Sequence, residues 1–158
     1  MSLALVAYYS YSGATRRLAE EIARQTGAAL LTLTPETPYA FDHNTAIREL
    51  RNEIERGFCP KLVSDCEAAQ KCEIVFVGSP NWLNRFAPPV LSFLRQTDLA
   101  GKTVVPFCTS GGGGLGRMAE DFKRECPRSA LLDGLQAAAD FTPAEVSAFL
   151  TRIGLSRH

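Results

Sequence analysis

Apolar positions in this chain come in two rhythms, and the rhythms alternate. Residues 3–9, Leu-Ala-Leu-Val-Ala-Tyr-Tyr, form an unbroken apolar run, the pattern of a strand covered on both faces. The spacing then turns helical. Leu18, Ala19, Ile22 and Ala23 fall on one side, and Arg16, Arg17, Glu20, Glu21 and Arg24 on the other. Gly27 is placed to stop that helix, and residues 29–33 predict a second strand. Pro35, Pro38 and Tyr39 break the pattern. A helix over about residues 44–56 carries Ile47, Leu50 and Ile54, with Gly57 at its end. Ile74-Val75-Phe76-Val77-Gly78 predicts a third strand. Pro88 and Pro89 suit the first turn of a helix whose apolar stripe is Val90, Phe93 and Leu94. Residues 103–108, Thr-Val-Val-Pro-Phe-Cys, predict a fourth strand. Leu115, Met118, Ala119 and Phe122 predict the buried face of the next helix, and Ala130-Leu131-Leu132 a short fifth strand. The last helix has Thr142 as N-cap, Pro143 at its first position and Glu145 completing a capping box. Phe141 and Val146 are spaced as a hydrophobic staple, and Val146, Phe149, Leu150 and Ile153 face the sheet.

Strands alternating with helices imply right-handed crossovers and a parallel sheet with helices on both faces. The expectation is an α/β fold, a three-layer doubly wound five-stranded parallel sheet, in a single domain over residues 1–158. Residues 35–72 are long for one crossover and predict a surface insertion around the helix at 44–56. At 158 residues and 46% hydrophobic, the chain can build a core without disulfide or metal staples. Lys plus Arg and Asp plus Glu both number 17, and no long run of one sign occurs. That argues against nucleic acid or an anionic membrane as partner. No apolar run reaches transmembrane length, and residues 3–9 lack the basic start of a secretory leader. The 5 cysteines, at 59, 66, 72, 108 and 126, are odd in number and include no C-x-x-C pair. They read as reduced packing thiols of a cytoplasmic protein. Neither His43 nor His158 stands at zinc-ligand spacing to a cysteine, so no metal site is expected.

In an open parallel sheet, ligands bind beyond the carboxyl ends of the strands, at the switch in strand order. That rule selects the loops after the first, third and fourth strands. The first, Ser10-Tyr11-Ser12-Gly13-Ala14-Thr15, opens a helix. Its free backbone N–H groups and hydroxyls suit a phosphate, and Gly13 permits a tight turn. The alternative is a hydroxyl that only caps the helix. No lysine stands there, so it is not a Walker A loop. The second loop, Ser79-Pro80-Asn81-Trp82-Leu83-Asn84-Arg85, holds the sole tryptophan. Trp82 can stack on a flat ring, with Asn81 and Asn84 for a polar ring edge, or can pack into the domain's own surface. The third, Thr109-Ser110-Gly111-Gly112-Gly113-Gly114-Leu115-Gly116, exposes backbone donors and lets a ligand approach closely, or is a flexible connection. Together the three describe a site for a phosphorylated planar cofactor.

These residues resemble a known family. Residues 8–15, Tyr-Tyr-Ser-Tyr-Ser-Gly-Ala-Thr, are similar to the flavodoxin phosphate loop T/S-x-T/S-G-N-T. Residues 107–116 resemble the F-x-T-S-G-G-S-G segment of short-chain flavodoxin-like proteins. Thr34-Pro35-Glu36-Thr37-Pro38-Tyr39 and Gly78-Ser79-Pro80-Asn81-Trp82 resemble that family's stretch after strand two and its G-x-P-x-W loop. The resemblance implies strand order 2-1-3-4-5 with flavin mononucleotide (FMN) at the switch point; the flavodoxin order is itself a stated example of the switch-point rule. By position, Ser10, Tyr11, Ser12, Gly13, Ala14 and Thr15 should hold the phosphate. Pro80, Asn81, Trp82, Leu83 and Asn84 should flank the isoalloxazine. Thr109, Ser110, Gly111, Gly112 and Gly113 should line its pyrimidine side. Three departures from the pattern stand out. Ala14 replaces asparagine and loses one side-chain contact, Leu83-Asn84 replaces Trp-Gly, and Gly113 replaces serine.

Other users of such a fold are excluded by residue. Ser79 stands where a receiver domain needs aspartate, the first loop lacks the cysteine of a C-x5-R phosphatase, and G-x-S-x-G is absent. The resemblance then implies one of two redox roles. One is an FMN oxidoreductase passing electrons from NAD(P)H to a quinone-like acceptor, in a family where homodimers are common. The other is a carrier between redox proteins. Zero net charge favours the enzyme, because the carriers are acidic and dock through that field. A third reading is a binding module without flavin. The sequence names no catalytic acid or base.

Overall fold

The computed structural model describes residues 4–11, 13–39, 43–82, 85–110, 115 and 117–155. In chain order the elements are β1 (Ala4–Tyr8), α1 (Ala14–Thr26), β2 (Ala29–Thr32), α2 (His43–Arg56), a 3-10 turn (Glu67–Lys71), β3 (Ile74–Pro80), α3 (Pro88–Gln96), β4 (Thr103–Thr109), α4 (Met118–Glu125), β5 (Ala130–Leu131), β6 (Leu135–Ala137) and α5 (Pro143–Arg152). The strands pair in parallel in the order β2-β1-β3-β4-β5, with β6 also on β4. This is the expected order, and it reverses between β1 and β3.

Side chains alternate between two packed faces, as a pleated strand requires. Val6, Tyr8, Phe76, Val105 and Phe107 point to the face covered by α1 and α5, against Leu18, Ile22, Val146, Phe149 and Leu150. Leu5, Ala7, Val75, Val77, Val104 and Cys108 point to the other face, against Val90, Phe93, Leu94, Met118 and Phe122 of α3 and α4. Burial on both sides is why the sequence shows continuous apolar runs rather than alternation.

The fifth strand differs from expectation. Instead of one strand at 130–132, two short pieces flank Gly134. β5 pairs with the start of β4, at Thr103 and Val104, and β6 with its end, from Phe107 to Thr109. The interruption falls beside Pro106. The ladder between β3 and β4 runs unbroken past that proline, so the side without a ladder is the one facing β5 and β6. A proline supplies no N–H to a neighbour. Gly134 fills the gap closely, since a Cβ there would lie 2.8 Å from the Pro106 carbonyl oxygen. Leu115, expected on the helical face, lies before α4 and is half-buried.

Helix ends follow the chemistry read from the sequence. Gly27 takes φ 76° and donates its N–H to the Ala23 carbonyl at 2.8 Å. The Thr142 hydroxyl accepts the Glu145 N–H at 3.3 Å. Thr142→Ala is expected to cost about 1 kcal/mol, read as a fall of roughly 2–4 °C in thermal midpoint by circular dichroism. The insertion after β2 returns alongside it. The Val63 N–H donates to the Thr34 carbonyl at 2.8 Å and the Glu36 N–H to the Lys61 carbonyl at 2.7 Å. Among the described residues, no helix is long and apolar enough to cross a membrane.

Candidate functional site

The first loop is shaped by a serine and a glycine. Gly13 precedes α1 with φ 98°, a left-handed conformation open to glycine. The Ser10 hydroxyl accepts the N–H of Gly13 at 3.1 Å and of Arg16 at 3.2 Å. Ser10 therefore caps the turn. The first intrahelical bond joins the Arg17 N–H to the Gly13 carbonyl at 3.1 Å, so helix geometry leaves the N–H groups of Ala14 and Thr15 without an intrahelical acceptor. With the helix dipole they make an end suited to an anion.

Three expected loops are tied together at this edge. The buried hydroxyl oxygens of Thr15 and Thr109 are 2.7 Å apart, which joins the first loop to the end of β4. Pro80 pairs in register with Thr109, and the Asn81 N–H donates to the Thr109 carbonyl at 3.0 Å. That joins the second loop to the third. Trp82 meets Tyr11 with ring centroids 5.6 Å apart, closing the set. Ser12, Leu83, Asn84, Gly111, Gly112 and Gly113 lie outside the described residues.

Trp82 is half-buried and packs edge-to-face with three tyrosines. Its centroid lies 5.6 Å from Tyr9, 5.6 Å from Tyr11 and 5.3 Å from Tyr39. Trp82 and Arg85 exchange backbone hydrogen bonds at 2.9 Å in both directions, a tight turn. The Arg85 guanidinium is paired with Asp121 of α4, which is buried and also bonded to Arg124 at 2.9 Å. The fully buried Ser79 hydroxyl accepts the Ala87 N–H at 2.8 Å, fixing the loop to the start of α3. Beyond β4, the Ser110 N–H donates to the Ala137 carbonyl at 3.0 Å. The Gln136 amide donates to both the carbonyl and hydroxyl oxygens of Ser110 at 3.1 Å.

Tyr9, Tyr39 and Gln136 were not singled out from the sequence as site residues. Tyr9 continues an apolar strand, Tyr39 sits in an irregular stretch, and Gln136 belongs to the strand piece that was not anticipated. Burial, with smaller contributions from neighbouring Tyr11 and Glu53, holds the Tyr9 hydroxyl far above its usual range. Burial and the Glu53 carboxyl do the same to Tyr39. The Cys108 thiol is pushed up to about 12 by burial, and Cys126 to about 11 by burial and the Glu125 carboxyl. These two thiols stay protonated at neutral pH and pack, as their positions in the core require.

The flavodoxin family model matches residues 3–153. The chain belongs to the flavodoxin family. A candidate flavoprotein from Bacteroides eggerthii DSM 20697 shares 30% identity across 99% of this chain and 100% of its own, with a TM-score of 0.88. The flavoprotein from Lactobacillus acidophilus NCFM, solved in complex with FMN, shares 21% identity across 98% of this chain and 99% of its own, with a TM-score of 0.76. At that identity the likeness is one of fold. Among curated proteins none matches the chain. In this flavodoxin-family chain, the loops that meet at the β1–β3 switch stand where an open parallel sheet places its ligand.

Proposed function

We propose that the chain binds FMN at the carboxyl ends of β1, β3 and β4 and acts as a cytoplasmic oxidoreductase, taking electrons from NAD(P)H and passing them to a quinone-like acceptor. The observation that carries this reading is the joining of three loops through Thr15, Thr109, Asn81 and Trp82 at the switch in strand order. The N–H groups at the start of α1 would hold the phosphate. Trp82, with Pro80, Asn81, Leu83 and Asn84, would flank the isoalloxazine, and residues 109–113 its pyrimidine side. Membership of the flavodoxin family and the FMN-bound relative from Lactobacillus acidophilus support the cofactor. The residues present fit it, since an anion-binding helix end and a wall of aromatic rings lie on one edge.

Bound FMN supplies transfer of one or two electrons. The chain's part is to bind the phosphate, orient the ring and shield it from water. Tyr9 and Tyr39 keep their protons at neutral pH, so they serve as packing and hydrogen-bonding groups. Balanced charge, 17 against 17, supports an enzyme over an acidic carrier. Free cysteines support a reducing compartment.

The test is direct. Protein incubated with FMN and dialysed is expected to keep a flavin absorption band, and to oxidise NADH or NADPH when a quinone is present. Failure to retain FMN would falsify the site. Retained FMN without nicotinamide turnover would sink the enzyme reading and leave that of a carrier.

A further inference from the structure

Tyr39 is held from behind by an acid. Its hydroxyl donates to the Glu53 carboxyl at 2.6 Å, a length typical of a hydroxyl bonded to an ionised carboxylate. Its ring meets the Trp82 indole at an interplanar angle of 89°, with centroids 5.3 Å apart. This contact is nearer than those of Tyr9 and Tyr11, both at 5.6 Å. Tyr39 also touches Tyr9, at 6.0 Å. A residue of α2 is thus linked through one hydroxyl to the ring that presses most closely on Trp82.

A packing role alone does not call for a carboxylate. Tyr39 would be satisfied by any acceptor, and a neutral carbonyl oxygen is easier to bury than a carboxylate. Burial pushes the Glu53 carboxyl up, the Tyr39 hydroxyl pulls it down, Glu49 pushes it up and Arg56 pulls it down. The acid is therefore kept at some cost, in a place where its principal neutral partner is Tyr39. What a charged acceptor adds is a stronger and more directional bond.

We propose that Glu53 is a positioning residue for Trp82: its carboxyl anchors the Tyr39 hydroxyl, and the anchored ring sets the orientation of the indole at the mouth of the site. The consequence for flavin affinity rests on the FMN reading above. The consequence for the indole does not.

Trp82 is the only tryptophan (Trp 1), so its emission reports on its own position. Four variants of the full chain are compared without flavin. Tyr39→Phe removes the hydroxyl and keeps the ring, and Glu53→Ala removes the acceptor. The third combines the two, and Glu53→Gln keeps an acceptor oxygen. The first two are expected to shift the Trp82 emission maximum in the same direction and to lower its anisotropy. The double variant adds little to either single one, because both break the same link. Glu53→Gln, which keeps an acceptor oxygen without the charge, recovers only part of the wild-type signal. Titration with FMN is expected to show affinity three- to tenfold lower for Tyr39→Phe and Glu53→Ala. Emission unchanged in both single variants would overturn the proposal, as would shifts that simply add in the double variant. A wild-type protein that takes up no FMN would overturn the site reading and the affinity claim with it. The flavin-free emission would still decide whether Glu53 positions the indole.

Discussion

Replacing Gly13 by valine is expected to abolish FMN binding while the protein stays folded. Gly13 holds φ 98° immediately before α1. A Cβ built there meets nothing within 4 Å, so the substitution makes no steric clash with the rest of the chain. The penalty lies in the backbone. A β-branched residue in the left-handed region costs about 1–3 kcal/mol, and the loop relieves that cost by rotating φ to a negative value. Rotation re-aims the N–H groups of Ala14 and Thr15, the donors that helix geometry leaves for the phosphate. It also breaks the bond from the Gly13 N–H to the Ser10 hydroxyl. Affinity should fall at least about 100-fold, equivalent to about 2.7 kcal/mol, in a titration following flavin fluorescence. The thermal midpoint should drop by only a few degrees, since the buried face of α1 is untouched. Gly13→Ala should lie between, its smaller side chain meeting less strain. Affinity within threefold of wild type in the valine variant would remove the first loop from the site.

Much of this architecture was legible because it depends on short-range chemistry. Gly27, Pro88 and Thr142 mark helix ends by local rules, and the structure places each at an end. Strand order followed from the resemblance, and the parallel sheet covered on both faces from handedness rules that depend little on individual side chains. The misses share a different cause. The gap between β5 and β6 arises from Pro106, whose missing N–H matters only to a neighbour reached through the sheet. Tyr39 meets Trp82 and bonds to Glu53 across long stretches of chain, contacts that no period in the sequence announces. Ser10 was read as a phosphate ligand, with a capping hydroxyl as the alternative, and its hydroxyl makes cap bonds to Gly13 and Arg16. Thr15 was read as a phosphate ligand, and its hydroxyl also meets that of Thr109, 94 residues away. A hydroxyl can donate once and accept twice, so the pair ties two loops and keeps capacity for a further bond.

The largest loss of stability is expected from one methyl group at Gly78. This glycine sits in β3, in register with Tyr8 on one side and Phe107 on the other. A Cβ there would overlap the Phe107 ring at Cζ, Cε1 and Cε2. The ring has no open space to swing into, because Phe107 is 0% exposed and belongs to the same buried cluster as Val105 and as Phe149 and Leu150 of α5. Backbone φ is ordinary at this residue, so the glycine is there for space rather than for conformation. Forcing a methyl into a closed core costs about 1–3 kcal/mol, and overlap with three ring atoms puts Gly78→Ala at the upper end. For a chain of this size about 3 kcal/mol corresponds to a fall of roughly 6–12 °C in thermal midpoint. The damage would reach the site as well, since Ser79 and Pro80 follow directly and fix the loop that carries Trp82. A second substitution separates overlap from other causes. Phe107→Leu alone should destabilise by leaving a cavity, yet in combination with Gly78→Ala it gives the new methyl room. The double variant should therefore be clearly more stable than the sum of the two losses predicts, measured by urea unfolding. Strict additivity would show that Phe107 does not require the glycine, and that the space above Gly78 is held open for some other reason.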